Sequence, residues 1–584
     1  MNLVEYCNQK PHQVVSILAV LVALIAILRI VSAYPKISQA YDEPAHIACG
    51  MEWLDKGTFR LEPLHPPLAR VAAAIGPYLA GARLPEVRII HDKAGDSYDI
   101  YAAGNEILNA QNHYRRTLVL SRLAELPLFC VAVFLVFTWA RNLFGIWPAL
   151  LSVLLFTTLP PILAFAGLAY VDFSLAVFLP LSLFAFVKWL HTPSACGAIT
   201  LGLAAGLAVL SNFTALLFMP VSLLAILLCW WWAGRALPSS TGIPWRRLAA
   251  GALVSVLCAL FIIWGGYRFS VSPLSRVFAK PAQDIAAVNG LPGPLKALPL
   301  RIVALNPPIP APPFVKGIVD AWLFNKNSPS SYAMGKIRRG GFWYFYWLDL
   351  GVKTPIAFLL IAVPGIAYAF ISVRTRRDWR IISPAASAIA VLLVSMVVKV
   401  DLGIRHILFI YPLLAVSAAG AVYALRELRS RWPAFAWSVL LLLVAWQVIS
   451  AAAAHPDYIA YFNEIAGSRP EHFFVFGCDL DCGQDVERLS QAVRSRGISH
   501  LTLRVWTSAD LARMNLPPFD TLQPYQHSNG WIAISLLHLQ SGDEIRNLGN
   551  RDGYSWLNSY QPVANVGKTI RLYDISNSAG SDRK

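Results

Sequence analysis

Charge is scarce in this chain. Only 14% of its 584 residues are Asp, Glu, Lys or Arg, well below the roughly 25% of an ordinary soluble domain. Acids are the scarcer sign, 33 against 49 basic residues, while 56% of the chain is hydrophobic and the mean hydropathy is +0.51. Those values exclude the soluble globular class. The sequence also lacks a Walker loop, a G-x-G-x-x-G turn and any repeat period, which removes the usual nucleotide-binding and solenoid readings. The net charge of +16 comes from arginines on loops between apolar runs and is no argument for nucleic acid.

What the chain has instead is long apolar runs. A hydrocarbon core of ~30 Å needs about 20 helical residues. Runs near that length occur at 13–33, 117–138, 148–168, 173–190, 195–211, 213–233, 248–267, 354–373, 382–400, 406–425 and 434–452, which predicts a polytopic α-helical membrane protein with about eleven crossings. Arg141, Lys188, Arg235, Arg246, Arg247, Arg374, Arg376, Arg377, Arg380, Arg426, Arg429 and Arg431 fall on alternate loops, and the positive-inside rule assigns those to the cytoplasm. The opposite face then carries the loops 34–116 and 268–353 and the tail 453–584. Period-two runs in the tail, "HLTLRVW" (500–506) and "GWIAISLLHL" (530–539), predict a small α/β or α+β external domain. Residues 1–452 form the expected membrane module. The first run is too long for a signal-peptide core and lacks a small-residue cleavage site, so it reads as a retained helix.

Ionisable residues gather at one end of the runs: Asp42 and Glu43 after the first, Arg122 in the second, Asp172 before the fourth, Lys353 before the eighth, Lys399 and Asp401 after the ninth, Arg405 and His406 before the tenth. Singly, each reads as an interfacial snorkelling residue. Together, at one depth on the face where basic residues are disfavoured, they predict a polar site. Pro44 suits a helix start and Gly57 a helix end, so Asp42 or Glu43 also reads as a helix cap. The two roles are compatible, because a helix N-terminus favours negative charge. "LEPLHPPLARVAAAIGPYLAG" (61–81) predicts an amphipathic helix lying in the membrane interface, with His65 beside the acidic pair. Glu43, His46 and His406 are metal candidates, although their spacing matches no dedicated metal motif.

The run "YDEPAHIACGMEWLDKGTFRLEPLHPPLAR" (41–70) resembles the first external loop of glycosyltransferase family 39, membrane enzymes of the GT-C fold that include protein O-mannosyltransferases and lipid A aminoarabinose transferases. "RRGGFWYFYWLDLGVKTPIAFLL" (338–360), "DLGIRHILFIYPLLA" (401–415), "DYIAYFNEIAGS" (457–468) and "CDLDCGQDVERL" (478–489) resemble later landmarks of bacterial members, in the same order. The resemblance implies a sugar donor linked to polyprenyl phosphate, an acceptor protein, lipid or glycan, and a bacterial inner membrane with the site facing the periplasm. It places the catalytic Asp at Asp42, its neighbour at Glu43 and a further acid at Asp172. Where many relatives carry a Lys, this chain has Asn212, so His65, Arg122, Lys353, Arg405 and His406 are the candidates for donor binding, with Tyr344 of the aromatic stretch 341–347 lining the donor groove.

The chemistry is simple: a lipid phosphate is a good leaving group, so displacement at the anomeric carbon needs one base and some positive charge, with or without a divalent metal. That departs from glycoside hydrolysis, where two carboxylates divide the work. Three of the eight cysteines, Cys130, Cys229 and Cys258, lie in apolar runs and read as small hydrophobes. Cys478 and Cys482 stand where relatives tend to carry Ser and Trp, which implies a disulfide; a reduced or metal-binding pair, or pairing with Cys49, are the alternatives. The rival function is a transporter or flippase of lipid-linked saccharides, against which stand the absence of a repeat and the gathering of charge at one face.

Overall fold

The computed structural model describes residues 11–92, 95–235, 245–278, 305–376, 378–429, 432–544 and 549–575. Arg377, Arg431 and parts of the loop 268–353 and of the tail 453–584 lie outside the described residues. Among the described residues seven helices are long and apolar enough to cross a membrane: His12–Lys36, Tyr114–Phe144, Val171–His191, Ala215–Trp232, Trp245–Gly266, Ile356–Val373 and Pro433–Ala453. Four shorter apolar helices, Ile146–Thr157, Ala195–Ser211, Ser383–Ser395 and Ile410–Leu425, cover the other four expected runs. All eleven runs are therefore helical, but only seven have crossing length. In the run 148–168 the cause is local. Pro160 and Pro161 lack the N–H that a continuing helix needs, so the helix stops at Thr157 and a separate turn starts at Pro160.

The chain is a multi-pass membrane protein. Its first helix, α1 (Pro11–Ala33), leaves Leu24 and Leu28 at least half exposed on its outer side, and Pro433–Ala453 does the same with Leu441 and Leu442. Apolar surface of that kind is what lipid covers. The short helix α2 (Glu43–Met51) follows α1, and α3 (Val171–His191) is buried along nearly its whole length. The interfacial helix expected in 61–81 runs Pro67–Leu79, beginning at the second proline of the pair. Its Ala69, Ala73 and Ala74 are buried, while Leu79 is 79% exposed. A fourth element of the site region, α4 (Phe345–Lys353), precedes the crossing helix Ile356–Arg376.

The expected sheet is present in the tail. It holds β1 (Leu501–Arg504), β2 (Phe519–Thr521), β3 (Trp531–Ser535), β4 (Ala564–Val566) and β5 (Ile570–Asp574), in the order β4-β5-β3-β1-β2. β1 runs parallel to β2 and β3, while β5 is antiparallel to β3 and β4. Alternation decides the two faces: Leu501, Leu503, Ala533 and Leu572 pack with Leu489 and Val493 of the helix Val486–Ser495, whereas Ile532, Ile534 and Tyr573 pack with Tyr554 and Leu557. The second period-two run is only half a strand, because the chain turns helical at Leu536–Ser541. Trp506, just after β1, stacks on Tyr41 at a ring separation of 4.6 Å, which brings the sheet against the loop between α1 and α2.

Candidate active site

Asp42 occupies the capping position of α2, yet its side chain makes no capping bond. Its Oδ1 accepts from the Tyr101 hydroxyl at 3.1 Å, and its Oδ2 from Arg405 Nη1 at 3.2 Å. The same Nη1 lies 3.4 Å from Asp172 Oδ2. Three stretches distant in sequence thus meet: the loop after α1, the first turn of α3, and the turn Ile404–Ile407. Exposure grades the group, with the side chain of Asp172 8% exposed, Arg405 12% and Asp42 23%. Asp42 is the member that a solute reaches first.

Tyr170, the residue before α3, supports both partners. Its hydroxyl accepts the Asp42 N–H at 2.9 Å, and its ring centre lies 5.2 Å from the Arg405 guanidinium carbon. Burial opposes charge on Arg405, but the carboxylates of Asp172 and Asp42 more than offset it and hold the guanidinium protonated. Burial and the Asp42 charge push the Tyr101 hydroxyl up, so it remains a donor to the carboxylate. Among the described residues Arg405 Nη2 has no partner, while Nε donates to Leu402 O at 3.2 Å.

Glu43 is not part of this group, contrary to its expected catalytic role. It is fully buried, and its Oε1 and Oε2 accept from Arg122 Nε (2.8 Å) and Nη2 (2.7 Å) and from the Ala169 and Ala40 N–H groups. Arg122, expected to bind donor, is equally buried and spends its remaining donors on the Ser38 and Ile37 carbonyls. The adjacent acids of "YDEP" therefore diverge. One faces outward, and the other clamps α2 to the helix Tyr114–Leu123.

Lys353 is also misplaced for donor binding. It is 1% exposed, donates to the Ile459 carbonyl (2.8 Å) and the Asp479 carbonyl, and lies over the Phe462 ring. Burial lowers its amine to about 8, with Asp479 and Asp349 opposing. His65 bonds Glu62 and Arg70, 3.3 and 3.1 Å away; burial lowers its pKa while Asp172 and Asp42 oppose that. His46 Nδ1 receives the Arg70 Nε–H at 3.3 Å, and His406 stacks on Tyr346. Tyr344 packs on Phe342 and Trp343. Among the described residues no three His, Cys, Asp or Glu side chains converge to hold a metal ion. For the metal candidates the reason is direct: Glu43 and His46 are taken by arginines. Cys478 and Cys482 form a disulfide, and Cys49 is a buried free thiol.

Tyr101, Tyr170 and Arg70 carry much of this geometry. A tyrosine in an apolar stretch and a lone arginine in a loop helix give no sequence signal that separates them from core or surface residues.

No protein-family model and no curated sequence matches the chain. Among solved structures it is similar to ArnT from Cupriavidus metallidurans bound to undecaprenyl phosphate, at 14% identity over 95% of this chain and 97% of that one, TM-score 0.47. It is similar too to the archaeal oligosaccharyltransferase AglB from Archaeoglobus fulgidus in complex with an inhibitory peptide and a dolichol-phosphate, at 13% identity over 95% and 74%, TM-score 0.48. The Pmt1-Pmt2 complex of S. cerevisiae, a protein O-mannosyltransferase bound to its sugar donor, aligns with 43% of this chain at 18% identity, TM-score 0.30.

Proposed function

We propose that the chain is a GT-C-type membrane glycosyltransferase that moves a sugar from a polyprenyl-phosphate donor to an acceptor hydroxyl on the external face. The observation that carries this reading is the meeting of Asp42, Asp172 and Arg405 at one end of the helices, with the more exposed carboxylate reachable and the guanidinium shared. Asp42 takes the acceptor's hydroxyl proton. The acceptor oxygen bonds the anomeric carbon as the bond from that carbon to the phosphate oxygen breaks, and the configuration inverts. Arg405 Nη2 donates to the departing phosphate oxygen, and the guanidinium charge offsets the negative charge that develops there. Asp172 keeps Arg405 in place when Asp42 becomes neutral, so the phosphate side of the site does not collapse as the proton arrives. This reading places the site and the sheet outside the cytoplasm, in a bacterial inner membrane, and takes 453–584 as an external domain.

The test is transfer of labelled sugar from synthetic polyprenyl-phosphate donors by purified protein in nanodiscs. Asp42→Asn should lower kcat by roughly 10²–10⁴ with helix content and thermal unfolding unchanged. Normal turnover by folded Asp42→Asn protein refutes the assignment of the base.

A further inference from the structure

The segment 478–484 touches both arms of the site. Toward Asp42, the Tyr41 N–H donates to the Cys482 carbonyl (2.8 Å), the Ser38 N–H to the Gln484 carbonyl (3.0 Å), and the Ser38 hydroxyl to the Gly483 carbonyl (3.2 Å). Toward Arg405, Asp479 Oδ1 accepts the Ile404 N–H at 2.9 Å. Gly403 has φ +80°, and a Cβ there would lie 2.5 Å from Asp479 Oδ2, so only glycine permits this approach. The Cys478–Cys482 disulfide, with Cα atoms 4.5 Å apart, closes the segment between these two attachments.

Tyr170 joins the disulfide to the site. Its hydroxyl accepts the Asp42 N–H and lies 3.3 Å from Cys482 Sγ and 3.5 Å from Cys478 Sγ. Disulfide sulfurs carry no hydrogen, so the hydroxyl is the donor to them. Tyr170, Asp479, Cys478 and Cys482 are all at most 5% exposed, which leaves them no route to substrate and a role only through Asp42 and Arg405.

We propose that Tyr170 and the Cys478–Cys482 disulfide are positioning groups for the transfer reaction, and that the site is complete only when the disulfide is closed. The proposal rests on the reading of Asp42 as base. Closure removes one proton and one electron from each thiol and forms the S–S bond; two electrons and two protons pass to the disulfide of an oxidised thiol-exchange protein, which becomes a dithiol. With the bond open, the loop between the two attachments is free to lengthen, and the registers of residues 38–42 and 403–405 are no longer fixed against each other.

Two readouts test this on the full-length protein. In hydrogen exchange, the Cys478→Ser/Cys482→Ser variant should exchange faster than the oxidised protein in peptides covering 38–46 and 402–408, with α3 unchanged; identical exchange in both peptides overturns the proposal. In turnover, Tyr170→Phe and the double-cysteine variant should each lose roughly ten- to hundred-fold in kcat with the donor KM unchanged. The triple variant should lose less than the product of the two separate losses, because both groups bear on the backbone of residues 38–42; losses that multiply overturn the shared role. Tyr170→Phe removes a single oxygen and keeps the test open if the cysteine variant does not fold. If Asp42→Asn proves fully active while exchange changes as expected, the base reading fails and the clasp stands.

Discussion

An arginine held between two carboxylates can lose one of them to protonation and still have a partner, and Arg405 is held in that way by Asp42 and Asp172. Arg405→Lys should weaken donor use beyond what charge alone explains, since a lysine offers a point charge where the guanidinium offers a fork. Arg405→Ala should weaken it further and also lower thermal stability, because Asp172 is then buried without a cation. Donor affinity measured on folded protein separates the two effects, and an unchanged affinity in the alanine variant moves the phosphate site elsewhere. Glu43→Gln should act differently from Asp42→Asn. It leaves Arg122 buried without its anion, which costs on the order of 3–5 kcal/mol, and the loss should appear as poor folding and low thermal stability rather than as slow turnover of folded protein. The sequence could announce that Asp42, Asp172 and Arg405 share a depth, because scarce charge at helix ends stands out. It does not show which way each side chain turns, and packing points Glu43, Arg122 and Lys353 inward.

At the scale of elements, the turn that precedes α4 is held by a buried carboxyl group. Asp401 is 4% exposed, accepts the Phe342 N–H at 2.8 Å, and has its pKa raised by burial from 3.8 to about 7. A carboxyl that binds its proton more tightly when folded favours folding at low pH, and that preference is lost as pH rises from the unfolded value toward 7. The span of about three units corresponds to the order of 4 kcal/mol. Asp401→Asn does not titrate, so thermal unfolding of the wild type relative to this variant should worsen between pH 4.5 and pH 8; an equal difference at both values refutes the buried titration. Helix α2 and the helix Pro67–Leu79 were legible because Pro44, Gly57 and the Pro66–Pro67 pair punctuate the chain. The strand at 531–535 was legible by its alternation, but the turn to helix at Leu536 was not, since "LLHLQ" fits either period and the sheet's second face settles it.

For the whole molecule, the sidedness implied by the arginine-bearing loops has a direct check. An exposed cysteine at Asn529→Cys, in the loop before β3, should react with an impermeant maleimide in intact cells, whereas Thr192→Cys at the far end of α3, in a Cys196→Ser background, should react only after lysis. Equal labelling at both places refutes the orientation and with it the external site. The pairing of Ser38 and Tyr41 with residues 482–484 also has a meaning in time. The ribosome makes the first of these segments more than four hundred residues before the second, so a growing chain carries its acid, and later its arginine, long before anything holds them in register. A product cut short before residue 478 would lack the groups that pair with Ser38 and Tyr41. A segment made late is thus the one that holds a segment made early.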